Sequence, residues 1–230
     1  MIARVIERVR TCPAVDRILV ATDADEVAQA VEALEVQVVR TGEARSGTDR
    51  VAQAVAGSGL TPEIVLNVQG DEPFVDPALL GRVIEVQRAT GAPLVTACAP
   101  IRHWATLLSP DVVKVVPDAH GRAMIFSRSP IPWSVALGAG WTVAPEPSEA
   151  LPEGMKAWEH IGIYGFTPSS LHRFTGLPPH PLEQQERLEQ LRALAWGWTI
   201  ELVEADHAPG GVDTAEELRA ARARLDGVHA

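Results

Sequence analysis

Ile64-Val65-Leu66-Asn67-Val68-Gln69-Gly70-Asp71-Glu72-Pro73 is the stretch whose reading decides the fold. Its first half is a mostly apolar, β-branched run, the pattern of a strand buried on both faces in a parallel sheet, and its second half turns polar at a glycine. A carboxylate pair therefore follows the end of a central strand. In open α/β sheets the crevice outside the carboxyl ends of the strands is where ligands bind. Gly70 allows close approach, and Pro73 stops the strand from continuing. On this reading Asp71 holds a divalent metal against a nucleotide phosphate, with Gln69 facing the same crevice. An ordinary Asp/Pro turn explains the string alone equally well, so the rest of the chain has to decide.

Upstream, apolar residues Ile2, Val5, Ile6 and Val9 share one face of a helix over residues 1–10. A strand over 17–22 is followed by Asp23 as a helix N-cap, a helix through Val27, Val31 and Leu34, and a second strand over 36–39. This alternation predicts a parallel sheet with right-handed crossovers. The loop from Arg40 to Arg50 is rich in hydroxyls and arginines and opens a helix carrying Val51 and Val55. Backbone N–H groups and positive charge converge there, which suits an anion; Ser46 or Thr48 serving only as an N-cap is the plainer alternative.

Downstream, Asp76-Pro77 starts a helix to about residue 89, and strands follow over 94–97, 112–116 and 122–128. The last of these ends in Ser127-Arg128, and two prolines then enforce an extended exit. Arg128 faces phosphates or a substrate carboxylate on the functional reading and solvent on the plain one. Residues 134–156, the least regular stretch, read as an excursion suited to a subunit contact, because Trp133, Trp141 and Trp158 are costly to leave exposed. Strand alternation resumes at His160, whose neighbours Gly162 and Tyr164 place it on a ligand-facing strand or in an ordinary structural role. A helix over 183–196, a strand over 199–203 and a terminal helix capped by Asp213 or Thr214 complete the chain.

The 230 residues form a single domain on this reading, long enough to bury a substantial core. A net charge of -10 argues against a protein that coats nucleic acid. An anionic ligand must be met by local Arg, Lys or metal. Only Cys12 and Cys98 are present, in apolar surroundings, so neither a disulfide framework nor a zinc site is indicated and a reducing cytoplasm fits. No run has the length of a membrane span or the character of a signal peptide.

Six strings then appear in order: Ser46-Gly47-Thr48-Asp49-Arg50; Asn67 through Pro73; Phe126-Ser127-Arg128 with Ile131-Pro132-Trp133; His160-Ile161-Gly162-Ile163-Tyr164-Gly165; Leu182-Glu183 with Glu189-Gln190-Leu191-Arg192; and Gly211-Val212-Asp213-Thr214. Each is weak alone. Their order and spacing closely resemble the 3-deoxy-manno-octulosonate cytidylyltransferases (CMP-KDO synthetases), from Met1 to about Arg224.

The resemblance implies a three-layer α/β/α nucleotidyltransferase fold with a mostly parallel mixed sheet, and a homodimer built on the excursion around 133–158. It implies Mg2+ dependence and the reaction of CTP with KDO to give CMP-KDO and pyrophosphate, feeding lipopolysaccharide assembly. Asp71 and Asp213 correspond to the metal-binding, catalytic carboxylates. Arg50, Gln69, His160, Tyr164 and Gln190 correspond to sugar-site residues, with Ser46 and Arg128 as further members of the pocket. The family pattern opens with a strand and a basic loop that grips the triphosphate, and Met1-Ile2 aligns with an internal point of that pattern. The expectation is that the chain starting at Met1 has negligible synthesis. A silent sugar- or nucleotide-binding subunit and a cytidylyltransferase for another 2-keto sugar acid are the alternatives.

Overall fold

The computed structural model describes residues 1–134, 146, 149–212 and 215–227. Along the chain run α1 (Ile2–Arg10), β1 (Leu19–Thr22), α2 (Asp25–Val31) with a 3-10 turn (Glu32–Leu34), β2 (Gln37–Arg40), α3 (Gly47–Gly57), β3 (Val65–Val68) and α4 (Pro77–Thr90). There follow β4 (Leu94–Pro100), α5 (Trp104–Leu108), β5 (Lys114–Pro117), β6 (Ala123–Ser127), β7 (Trp158–Phe166), α6 (Pro168–Gly176), α7 (Pro181–Glu186), α8 (Gln190–Ala195), β8 (Ile200–Glu204) and α9 (Ala215–Gly227). The α/β class expected from the sequence is borne out. By contact pattern the chain divides into two compact units, the first comprising residues 1–61, 67–82 and 209–230, the second 62–66 and 83–208.

In the first unit β1 and β2 pair in parallel, Leu19 opposite Gln37 and Thr22 opposite Arg40. Their apolar side chains meet α1 and α2 in a core of Ile6, Val20 and Val31, flanked by Ile2, Val27, Leu34 and Val38. Full burial of an aliphatic side chain of this kind is worth roughly 1.5–3 kcal/mol. That is why the short strands hold. Asp23 is not the cap of α2 as expected; the N-cap is Ala24, and Thr22 Oγ1 accepts the Ala24 N–H at 3.0 Å. The Asp23 carboxylate is instead taken by Arg50.

The larger sheet runs β6-β5-β7-β4-β8, with β3 also pairing β7. The expectation of a mostly parallel sheet needs correction, because β5–β6, β5–β7 and β4–β7 are all antiparallel and β4–β8 is parallel. Burial explains the misreading: β4 is buried at six consecutive positions, and an apolar run covered on both faces looks the same in either orientation. The β4–β7 register slips between Thr96, opposite Tyr164, and Ala97, opposite Ile161, so β7 carries a bulge at 162–163. Gly165 lets α4 lie close, since a Cβ there would come within 3.1 Å of Val83 Cγ1. An aromatic series, Tyr164, Phe166, Phe174 and Trp198, fills the space between β7, α6 and the approach to β8.

The single helix expected over 183–196 is two. Arg187 takes a left-handed conformation (φ 55°), which ends α7 and redirects the chain before α8. Both cysteines are buried and free. Among the described residues no helix is long and apolar enough to cross a membrane. Most of the proposed subunit-contact excursion, 135–145 with 147 and 148, lies outside the described residues.

Candidate active site

The residues singled out from the sequence gather in two sets, one in each unit. In the first, the start of α3 meets the carboxyl end of β3. Ser46 caps α3, its Oγ accepting the Asp49 N–H at 3.2 Å and donating to Asp49 Oδ2 at 3.0 Å. Thr48, 1% exposed, accepts from Asn67 Nδ2 at 3.1 Å, which ties the helix start to the strand end. Gln69 in turn donates to Asn67 Oδ1 at 3.4 Å and lies over the backbone of Gly47, where a Cβ would approach its amide within 3.3 Å. The glycine in Ser46-Gly47-Thr48 thus makes room for Gln69.

Arg50, in the first turns of the same helix, donates to Thr41 Oγ1 at 2.7 Å and to Asp23 Oδ2 at 2.8 Å. Its guanidinium is thereby aimed by residues just past the ends of β1 and β2. The Arg50 hydrogen bond holds the Asp23 carboxyl below the usual carboxylate range, with a smaller push from the Asp23 backbone. The pairing leaves Arg50 three-quarters buried yet fixed in direction.

Asp71 is half-buried after β3, and its carbonyl oxygen accepts the N–H of Val212 at 3.0 Å. Asp213, the second expected metal carboxylate, lies outside the described residues, as does Thr214. Among the described residues no three His, Cys, Asp or Glu side chains converge as a metal cage. Mg2+ does not require one: it keeps several waters and is bound through one or two carboxylates plus substrate phosphates. A hard carboxylate oxygen at Asp71, with the backbone of Val212 bonded to that same residue, fits such an ion.

The second set surrounds the bulge of β7. His160 sits against Phe126 (ring centroids 4.9 Å apart, edge-on) and Tyr164 (5.5 Å). Its Nε2 lies 2.9 Å from Thr96 Oγ1 and its Nδ1 3.5 Å from Gln190 Nε2; the Tyr164 hydroxyl donates to Gln190 Oε1 at 3.2 Å. Desolvation pushes the imidazole pKa down to about 3, so the ring is neutral near pH 7. Burial, with the Glu189 charge, drives the Tyr164 phenol well above its ordinary value, so it remains a donor. Gln190 reaches this cluster because α7 and α8 are locked by a buried ion pair, Arg192 Nε donating to both oxygens of Glu183 at 3.1 and 2.9 Å.

Arg128 is placed differently. Its Nε donates to the Glu186 carbonyl and its Nη1 to the Pro110 carbonyl, both at 2.9 Å, while the Glu186 carboxylate accepts from Ser127 Oγ and the Arg128 N–H at 2.8 Å each. Beneath it Lys114 is fully buried, its ammonium bonded to the carbonyls of Ser109, Val112 and Arg128, and desolvation lowers its pKa to about 8. Sequence reasoning gave no individual role to Thr96, Asn67, Glu186 or Lys114. A lone polar residue inside an apolar strand, Thr96 in Leu94–Pro100 or Asn67 in Val65–Val68, is the mark that could have found two of them.

A family model described as cytidylyltransferase matches residues 1–200, which gives the class. A 3-deoxy-manno-octulosonate cytidylyltransferase of Syntrophotalea carbinolica is 40% identical over 231 residues, spanning 99% of this chain and 89% of that protein. Another, of Methylococcus capsulatus, is 43% identical over 234 residues, spanning 99% and 87%. The solved structure of a CMP:2-keto-3-deoxy-manno-octonic acid synthetase complexed with CTP superposes with a TM-score of 0.83 at 32% identity, covering 98% of this chain and 87% of that one. The chain belongs to the 3-deoxy-manno-octulosonate cytidylyltransferase family.

Proposed function

We propose that this protein activates KDO, joining the sugar acid's 2-hydroxyl to the α-phosphate of CTP and releasing pyrophosphate, in place of the negligible synthesis expected for a chain starting at Met1. The observation that carries the reading is the bond from Val212 N–H to the Asp71 carbonyl, which brings the segment leading into Asp213 to the carboxylate that follows β3. Asp71 and Asp213 are the residues that would hold Mg2+. When bound, Mg2+ neutralises developing charge on the phosphates and favours the ionised form of the attacking hydroxyl.

The remaining steps fall to side chains. The start of α3 suits an anionic oxygen as helix starts do, and Ser46 holds that start in shape by accepting the Asp49 N–H. Arg50 adds a directed positive charge, and Gln69 an amide, in the same unit. In the other unit Tyr164 and Gln190, oriented by the neutral His160, match the hydroxyls of the sugar acid, a task for hydrogen bonds rather than charge. Arg128 supports that unit through its carbonyl contacts and Glu186; with Nε and Nη1 so engaged, Nη2 is the portion left to meet an anion among the described residues.

The protein acts in the cytoplasm as a homodimer supplying lipopolysaccharide assembly; the exposed Met124 and Trp133, at 63% and 58%, support a subunit contact. Pyrophosphate release measured with CTP, KDO and Mg2+, then with each omitted in turn and with chelator, tests the reading. Release that required all three would support it, and release independent of the sugar would contradict it. Light scattering tests the dimer.

A further inference from the structure

Thr96 has no place in the chemistry so far, yet it touches the centre of the His160 cluster. It is completely buried in an otherwise apolar strand, at the residue where the β4–β7 register slips. Its hydroxyl oxygen lies 2.7 Å from the Ile163 carbonyl, 3.3 Å from the Ile161 carbonyl and 2.9 Å from His160 Nε2. A hydroxyl has one hydrogen, and carbonyl oxygens only accept. The hydrogen therefore goes to Ile163, and Nε2 must donate to the Thr96 lone pair.

The consequence runs outward. A neutral imidazole with hydrogen on Nε2 has a bare Nδ1 that can only accept, so Gln190 turns its NH2 toward it, at 3.5 Å. That turns Gln190 Oε1 to Tyr164, whose hydroxyl donates at 3.2 Å. Every hydrogen in the series is assigned except the second N–H of Gln190, which takes no acceptor among the described residues. The opposite tautomer would reverse the whole series: Nδ1–H would call for Gln190 Oε1, the amide would flip, and the Tyr164 hydrogen would be released.

We propose that Thr96 is a positioning residue that sets the hydrogen-bond polarity of the sugar-acid pocket, making Tyr164 present oxygen lone pairs and Gln190 an N–H. The ligand must then offer a hydroxyl hydrogen to Tyr164 and an oxygen acceptor to Gln190. A polyhydroxylated acid has both. This rests on the reading of the cluster as the sugar-acid site, and the test separates the two.

In the wild-type protein, long-range nitrogen–proton NMR of His160, assigned with His160→Asn, should show a single tautomer protonated on Nε2. In Thr96→Val, which keeps shape and β-branching but loses the acceptor, Nδ1–H should appear. The KM for the sugar acid should rise about tenfold, with the KM for CTP and kcat each within about twofold, and Thr96→Ser should restore both tautomer and KM. An Nδ1–H tautomer in the wild type overturns the proposal even if the valine variant fails to fold. An unchanged tautomer in Thr96→Val overturns the role of Thr96 and leaves the sugar-site reading standing. A changed tautomer with an unchanged sugar KM overturns the assignment of this cluster to the sugar.

Discussion

The N–H of Val212 donates to the carbonyl oxygen of Asp71 at 3.0 Å, so two segments 141 residues apart in sequence are joined through backbone rather than side chain. The carboxylate of Asp71 takes no part in that bond. Asp71→Asn should therefore leave the melting temperature within about 2 °C while lowering kcat by a factor on the order of 10² to 10³, through weaker metal binding in the transition state. Asp213→Asn should do the same. Pyrophosphate release at saturating Mg2+ beside thermal melts checks both, and near-normal turnover in either would remove that residue from the metal site.

Gly47 and Gln69 are coupled by contact. A Cβ at position 47 would meet the Gln69 amide at 3.3 Å, tight enough to displace a flexible side chain without unfolding the helix. Gly47→Ala should hold or slightly raise stability, because alanine is the better helix former by up to about 1 kcal/mol, while raising the apparent substrate KM about three- to tenfold. In the Gln69→Ala background the same substitution should have no further effect on KM. Additive losses would show that the two residues act independently.

Much of this first set was legible in the sequence, and for a physical reason. Ser46 capping α3, the β3 strand ending before Gln69-Gly70-Asp71, and the pairing of β1 with β2 are local or nearly local patterns. What was not legible depended on partners far along the chain. Asp23 has the position of a cap, but Arg50 takes its carboxylate. Arg187 breaks a helix whose apolar spacing looked continuous, because the ion pair of Glu183 with Arg192 favours two short helices folded together. The helix α6 was within reach, since Thr167-Pro168-Ser169-Ser170 is a capping box with proline at the first helical position. The antiparallel pairing of β4 with β7 was not, because strand orientation leaves no trace in a run such as β4, buried at six consecutive positions.

That ion pair is itself a prediction. Arg192 is 1% exposed and Glu183 11%, so removing one partner strands a buried charge, at a cost of about 3–5 kcal/mol. Glu183→Gln and Arg192→Met should each lower denaturant stability by an amount of that order and raise the sugar-acid KM by loosening Gln190. The double variant Glu183→Met with Arg192→Met should recover most of the stability. Equal losses in single and double variants would mean that the helices are held by other contacts.

His160 supplies the pH dependence. Its ordinary pKa of 6.5 falls to about 3 in the folded protein. The unfolded chain therefore binds the extra proton first, and stability from this residue is complete above about pH 6.5 and declines as pH falls from there toward 3. Melting temperatures between pH 7 and pH 4 should drop more steeply for the wild type than for His160→Gln. Parallel curves would place a charged imidazole in the folded cluster.

The direct measurement of CMP transfer incubates the protein with CTP and Mg2+ and an equimolar mixture of KDO and N-acetylneuraminate, and follows sugar nucleotides by mass spectrometry alongside pyrophosphate. The account predicts CMP-KDO as the dominant product, formed in step with pyrophosphate and lost in Asp71→Asn. Preferential formation of CMP-N-acetylneuraminate, or no sugar nucleotide at all from protein that is folded, would contradict it.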